Sequence, residues 1–295
     1  MKIRMEKSTL AFNAIGYTLL TMISIVCLIP FYLIISGSLT DELEIISDGF
    51  KFIPNDFSIE AYKSVFSKPE QIYDAYLVSI GITVVGSLLG LFITAMAGYV
   101  LSRKDFKYRN SLSFFIYFTT LFSGGLIPWY ILMTSHLDLK DSYWAMILPP
   151  LLSAWNVILM KNFMKSIPDS IIESAKIDGA GDFHIFWKLI VPLSTPGLAT
   201  IGLFLALGYW NDWFNANIFI TSSEKYPLQF LLYKILASAS VLRTNDAAYF
   251  SNNITPPTET LKMAVAVVAT GPIILLYPFI QRFFVKGLTV GAVKG

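Results

Sequence analysis

The sequence is poor in charge. Asp, Glu, Lys and Arg make up 14% of its 295 residues, while hydrophobic residues make up 55%. A soluble domain carries roughly a quarter charged residues, so this composition excludes an ordinary soluble fold and points to a polytopic membrane protein. Cysteine is almost missing: Cys27 stands alone in an apolar run, which rules out an internal disulfide. Histidine occurs only at His136 and His184, and with a single apolar-run cysteine these leave no transition-metal cluster. No Gly-Lys dipeptide occurs, so there is no Walker A phosphate loop and no ATP binding by that route. The net charge of +2 says little as a total; its distribution says more.

Long apolar runs are what the sequence does have. About 20 apolar residues cross the hydrocarbon of a bilayer. Six runs approach or exceed that, at about Ala11–Ile35, Tyr76–Leu101, Ser111–Thr134, Tyr143–Met160, Pro196–Ile220 and Leu261–Phe284. The first follows Lys2, Arg4 and Lys7; it is longer than a signal-peptide core and lacks a small-x-small cleavage site, so it reads as an uncleaved span. The second carries Gly86 and Gly90 in GxxxG spacing, which lets helices approach closely in lipid. The third is interrupted by Ser123-Gly124-Gly125 and Pro128, breakers tolerated at membrane depth only where backbone faces protein or water. The expected fold is therefore all-α and integral to the membrane, a single domain over 1–295 with six transmembrane helices.

Six crossings put both termini on one side. Fourteen of the 22 lysines and arginines fall at the termini, in the loop 102–110 and in the loop 161–195. The acids are biased toward the loops 36–75 and 221–260. The positive-inside rule then makes both termini and the loop 161–195 cytoplasmic, the two long polar loops external, and places His136 and His184 on opposite sides.

The stretch Ser166–Val191 stands apart from the rest. Pro168 and Asp169 suit a first helical turn. Gly179 and Gly181 can end that helix at a left-handed residue. A second helix then has Phe183, Phe186, Trp187 and Ile190 at i, i+3, i+4 and i+7, one apolar stripe, with Pro192 closing the segment. Pattern alone fits either a hairpin with a task or a linker lying flat on the membrane. Glu173-Ser174-Ala175, Ile177-Asp178-Gly179-Ala180, Ile185-Phe186 and Leu189–Pro192 resemble the EAA loop of ABC-importer permeases. Ser174 replaces the usual second alanine and Val191 the usual leucine before proline. Asn162-Phe163-Met164, the run Tyr209–Phe214, and Phe279–Gly295 are similar to segments of the carbohydrate-importer permeases of the maltose type (the second permease subunit). Ser123–Tyr130 and Ser142–Pro149 look closest to their oligo- and polysaccharide branch.

The resemblance implies a non-enzymatic permease subunit of a type I importer in a bacterial cell membrane, without a cofactor or a nucleic-acid partner. Its partners would be a homologous second permease, two cytoplasmic ATPase subunits, an external solute-binding protein, a carbohydrate and membrane lipid. Glu173, Ser174, Ala175, Asp178, Gly179, Phe183 and Phe186 would couple it to the ATPase. The small Ser174 and Ala175 would let a helix seat in a groove, Glu173 would meet a basic rim, and Gly179 would permit the turn.

Asp212 is the one acid well inside an apolar run, where carboxylates are costly and tend to be functional. Gly208, Asn211, Asp212 and Asn215 share a helical face, and Trp210 or Trp213 could stack on a sugar ring. Two readings stay open for this set: a substrate path, or interhelical hydrogen bonding with interfacial tryptophans. Apolar positions 228, 231, 232 and 235 mark a further helix beyond it, expected to lie on the membrane or to meet the binding protein. A different class, an ion-coupled secondary transporter, would usually show inverted repeats and matched buried acids, and neither is found.

Overall fold

The computed structural model describes residues 7–245, 258–272 and 274. The distal half of the sixth run, residues 246–257 of the second long loop, and the tail Phe279–Gly295 lie outside these. Among the described residues the chain is helix and turn, with one isolated antiparallel bridge between Thr40 and Phe57. The described residues divide into two compact units, one of residues up to 68 with 234–245 and 258–271, the other of residues 69–233 with 272 and 274.

In the first unit, helix Lys7–Ser38 is apolar over most of its length, and its Phe12–Ser38 portion buries none of its best window inside the chain. A bare apolar surface of that length belongs against lipid or another subunit. The polar stretch after it is ordered by two carboxylates. Glu44 accepts the Asn55 and Asp56 amides at 3.2 and 2.9 Å and pairs with Lys51 at 3.2 Å. Buried Glu42 accepts the amides of Glu259 and Thr260, both at 2.9 Å, and the hydroxyls of Thr258 and Thr260. It thereby caps the helix over 259–272, whose first amides have no partner in their own helix. Burial alone would push the Glu42 carboxyl up; these hydrogen bonds outweigh it and hold the carboxyl below its ordinary range.

The second unit is built on helix Pro69–Ser102, which packs against Thr195–Trp210 and Ala154–Lys165. Its 34 residues begin two turns before Tyr76 because Pro69 suits the first turn of a helix. The glycine spacing does what was expected of it. A β-carbon on Gly86 would lie 2.4 Å from the Tyr209 ring and one on Gly90 2.9 Å from the Leu151 carbonyl oxygen; further along the helix, one on Gly98 would lie 2.5 Å from Met160. The Tyr209 hydroxyl, led into place by that gap, donates to the Ile147 carbonyl at 2.8 Å.

Three of the apolar runs are broken, the first of them at the interruption the sequence marks and the other two where a continuous helix was expected. The run Ser111–Thr134 is Arg109–Phe118 and Leu126–Ile131, parted at the glycines, with Gly125 at φ 86°. The second piece runs on into a π-turn at Leu132–His136. The run Tyr143–Met160 is Trp144–Ile147 and Ala154–Lys165, because Pro149 and Pro150 supply no amide for a helical ladder. The run Pro196–Ile220 is Thr195–Trp210 and Phe214–Phe219, parted at Asn211–Trp213. Helices Leu126–Ile131 and Phe214–Phe219 pack together, with Tyr130 stacked on Phe219 at 6.0 Å and Trp129 edge-on to it at 6.3 Å.

Candidate functional site

The hairpin forms as two helices, Asp169–Ile177 and Asp182–Ile185, the second continuing as a π-turn over Phe186–Ile190 and a short turn to Leu193. Gly179 has φ 79°, a left-handed position that costs other residues free energy, and no atom crowds the place of its missing β-carbon. Backbone conformation, not space, therefore explains this glycine. Gly181 is extended rather than left-handed and precedes the second helix.

The second hairpin helix meets Thr195–Trp210 at 83°, with the bend at Ser194 between Pro192 and Pro196. It thus runs across the direction of the helix that follows. The expected apolar stripe is only partly right. Ile185, Phe186 and Ile190 are buried, whereas Phe183 is 64% exposed and Trp187 is 43% exposed. The π-turn at Phe186–Ile190 inserts an extra residue, which turns Trp187 away from the buried face that the 3.6-residue pattern gives it. Phe186 packs near Tyr99 (5.5 Å) and Trp187 stacks on Phe92 (6.0 Å), so the hairpin seats on the C-terminal end of Pro69–Ser102.

On the first hairpin helix only Ala175 is buried. Glu173, Ser174, Asp178 and Gly179 are exposed. Ion pairs hold this helix. Lys104 pairs with Asp169, Lys176 with Asp105 at 2.8 Å, and Arg103 with Asp105 and Asp182. Arg103 and Lys176 beside Asp105 hold its carboxyl well below the usual range, Arg103 most strongly. The basic loop had a reading from charge alone, as a topology signal. Its role as a cradle for the hairpin was missed, and the alternation of Arg103, Lys104 and Asp105 is the only hint the sequence offers.

The expected face on the fifth run is rearranged by the break at 211–213. The Asp212 carboxylate accepts the Asn215 amide at 3.1 Å and the Asn215 side-chain amide at 2.8 Å, so it caps Phe214–Phe219 rather than sitting within a continuous helix. Gly208 and Asn211 remain exposed, and Asn211 accepts from Gln229 at 3.4 Å. Trp210 is buried, 6.4 Å from Tyr76. Trp213 stacks on Tyr233 at 4.6 Å. Phe214 lines an open cavity of about 530 Å³ with Ser123–Gly125, Pro128 and Trp129, so the breaks of the third and fifth runs meet there. Of the stripe at 228, 231, 232 and 235, Leu228, Leu231 and Leu232 are buried within the chain and Ile235 is half-buried, and the Leu228 amide donates to Ser79.

Asp141 is the functional-looking residue that sequence reasoning passed over. It lies at φ 57° and accepts the Thr221 and Ser222 amides, both at 2.9 Å, the Ser222 hydroxyl, and Lys225 at 2.8 Å. Lys225 first, then Ser222 and Thr221, hold its carboxyl well below the usual range. It ties the turn after the third run to the segment after the fifth. Among the described residues no group of three or more His, Cys, Asp or Glu side chains is placed to hold a metal ion.

Residues 86–290 match the family described as "Binding-protein-dependent transport system inner membrane component". The Polygalacturonan/rhamnogalacturonan transport system permease protein YtcP of Bacillus subtilis is 44% identical over 284 residues, 96% of this chain and 98% of that protein. Protein LplC of the same organism is 41% identical over 289 residues, 98% and 97% of the two chains. A solved structure described as that of a bacterial ABC transporter involved in the import of the acidic polysaccharide alginate aligns with a TM-score of 0.75 at 31% identity, covering 96% of this chain and 100% of that one.

Proposed function

This chain belongs to the family of binding-protein-dependent transport system inner membrane components, a permease subunit and not an enzyme, and from that premise we propose that it carries an oligosaccharide and receives the ATPase stroke through the hairpin Asp169–Leu193. The observation that carries the second part is the hairpin's geometry. An exposed surface of Glu173, Ser174 and Asp178 ends at a left-handed glycine, and the helix after it lies at 83° to Thr195–Trp210. A short helix set across its successor transmits a push as a rigid body better than a flexible loop would. Phe183, largely exposed beside this surface, adds apolar area that a partner would cover, while Ala175 and Phe186 hold the hairpin to its own chain.

The family implies a complex with a second permease, an ATPase and a solute-binding protein; two ATPase subunits, one beneath each permease, complete the proposed assembly. We read the six apolar runs as six crossings with both termini and the hairpin in the cytoplasm, supported by the distribution of lysine and arginine. The carbohydrate reading is supported by the named cargo of the relatives, polygalacturonan, rhamnogalacturonan and alginate. The path would pass the break at Asn211–Trp213, where Gly208, Asn211 and Trp213 are exposed and Asp212, Asn215 and Trp210 shape the turn. Irregular backbone within an apolar run is expected where it faces protein or a water-filled route.

The decisive experiment reconstitutes the complex with its binding protein and measures ATP hydrolysis against a panel of neutral and uronic-acid oligosaccharides. Stimulation by a subset of them supports the reading. No stimulation by any saccharide, with uptake driven instead by an ion gradient, overturns it.

A further inference from the structure

The residues Arg103, Lys104 and Asp105 each meet an oppositely charged partner on the hairpin. Lys104 takes Asp169 at the start of the first hairpin helix, Asp105 takes Lys176 at its end, and Arg103 takes Asp182 at the start of the second. The three ties bracket the turn at 178–181. They matter because apolar packing cannot hold the first helix, which buries only Ala175. The second helix has an apolar seat of its own through Ile185, Phe186 and Ile190.

Arg103 is unlike the other five. Its side chain is only 12% exposed. Its guanidinium lies 5.6 Å from the centre of the Tyr99 ring, and its remaining N–H groups reach Asp105 and Asp182 together. Exposed pairs contribute little singly, but a forked, ring-backed arginine joining two carboxylates fixes geometry. The positive-inside rule asks only for cationic charge somewhere in this loop. It accounts for neither the burial of Arg103 nor the presence of Asp105.

We propose that Arg103 is the positioning residue that locks the hairpin to the end of helix Pro69–Ser102, so that a push on the hairpin moves that helix instead of being absorbed at the glycine turn. This rests on the reading of the hairpin as the ATPase-facing element. Helix Pro69–Ser102 is the natural recipient, because Thr195–Trp210 and Ala154–Lys165 both pack on it through the close contacts at Gly86 and Gly98.

The test uses the full complex in proteoliposomes and reads cargo moved per ATP hydrolysed. Asp182→Asn, which is isosteric, and Lys176→Gln, which removes the cation, both at exposed side chains, should lower that ratio about three- to tenfold without loss of assembled complex. The exchange Arg103→Asp with Asp182→Arg should not recover the loss, because an aspartate at 103 faces Asp105 and has no fork to join two carboxylates. Arg103→Lys, which keeps the charge and removes the fork, should lie between. A ratio unchanged in the Asp182→Asn, Lys176→Gln double variant, or a lowered melting temperature with an unchanged ratio, overturns the proposal. The parent reading is checked separately by a cysteine at position 173 cross-linking to the ATPase. If it cross-links while the ratio stays unchanged, only the lock falls; if it does not cross-link, both fall.

Discussion

Gly86→Ala should destabilise the assembled subunit although it adds a single methyl group. An ideal β-carbon there lies 2.4 Å from the Tyr209 ring, with two further ring atoms at 2.6 Å, against an ordinary contact of 3.4 Å or more. The ring cannot swing away without cost, because its hydroxyl donates to the Ile147 carbonyl at 2.8 Å and the side chain is buried. Overpacking of this kind costs about 1–3 kcal/mol. Loss of the Tyr209 hydrogen bond adds about 0.5–1.5 kcal/mol. The expected total of roughly 2–4 kcal/mol corresponds to a fall in melting temperature on the order of 4–16 °C. Gly81 lies on the same helix with nothing within 4 Å of its missing β-carbon, so Gly81→Ala is the matched control. Thermal unfolding of both variants in one detergent, followed by size exclusion, makes the comparison. Adding Tyr209→Leu to Gly86→Ala should return part of the loss, since the two side chains share one space. Equal shifts for Gly81→Ala and Gly86→Ala would refute the close-approach argument.

Three further outcomes are expected. Gly179→Leu should insert normally yet lose uptake and substrate-stimulated ATP hydrolysis, because φ 79° disfavours a β-carbon; survival of both activities would remove the hairpin from the coupling path. In a Cys27-free background, a cysteine at Ser47 should react with an impermeant thiol reagent applied outside intact cells and one at Asn110 should not; external labelling at Asn110 would invert the proposed orientation. The Glu42 carboxyl is held below its unfolded value, so its stabilising contribution is full above about pH 4.3 and is lost as pH falls through the lower folded value. Acid sensitivity of proteolysis within 39–68 should therefore appear only below that range, and Glu42→Gln should remove the part that Glu42 contributes while leaving that of Glu44, which holds the Asn55 and Asp56 amides; an unchanged acid profile in the variant would assign the whole effect elsewhere.

What the sequence made legible follows from what has a local pattern. Hydropathy marks helix Pro69–Ser102, GxxxG spacing marks the seat of Tyr209, and a glycine after a short amphipathic helix marks the left-handed turn at Gly179. The broken runs were half legible. Ser123–Gly125 announced its break, but Pro149-Pro150 was read through, and the break at Asn211–Trp213 has no proline or glycine to signal it. The π-turn at Phe186–Ile190 was invisible for a related reason, since residues that suit a π-turn also suit an α-helix. Glu42, Asp141 and Arg103 were missed because their partners lie far along the chain, at Thr258–Thr260, Thr221–Lys225 and Asp182. A lone charge in a polar loop has no periodicity, and only the fold says which distant amides or ions it meets.

Asp212 shows how the structure sharpens a question that the sequence left balanced. Its carboxylate does two separable things: it accepts the Asn215 amide as a helix cap, and it brings a negative charge into an apolar run. Asparagine caps a helix about as well as aspartate, whereas alanine costs roughly 0.5–2 kcal/mol at such a position. Asp212→Asn therefore keeps most of the cap and removes the charge, and Asp212→Ala removes both. If Asp212 serves only the turn, Asp212→Asn should transport normally and Asp212→Ala should lower the melting temperature with unaltered preference among saccharides. If the carboxylate lines the route, Asp212→Asn alone should change rate or preference while complex yield and melting temperature hold. The route reading expects the second pattern, because Gly208 and Asn211 beside it are exposed and Trp213 at the same break is exposed in part, alongside its stack on Tyr233. Unchanged sugar preference in Asp212→Asn, with a destabilised Asp212→Ala, would leave the residue as a cap and move the search for the route to the cavity at Ser123–Gly125.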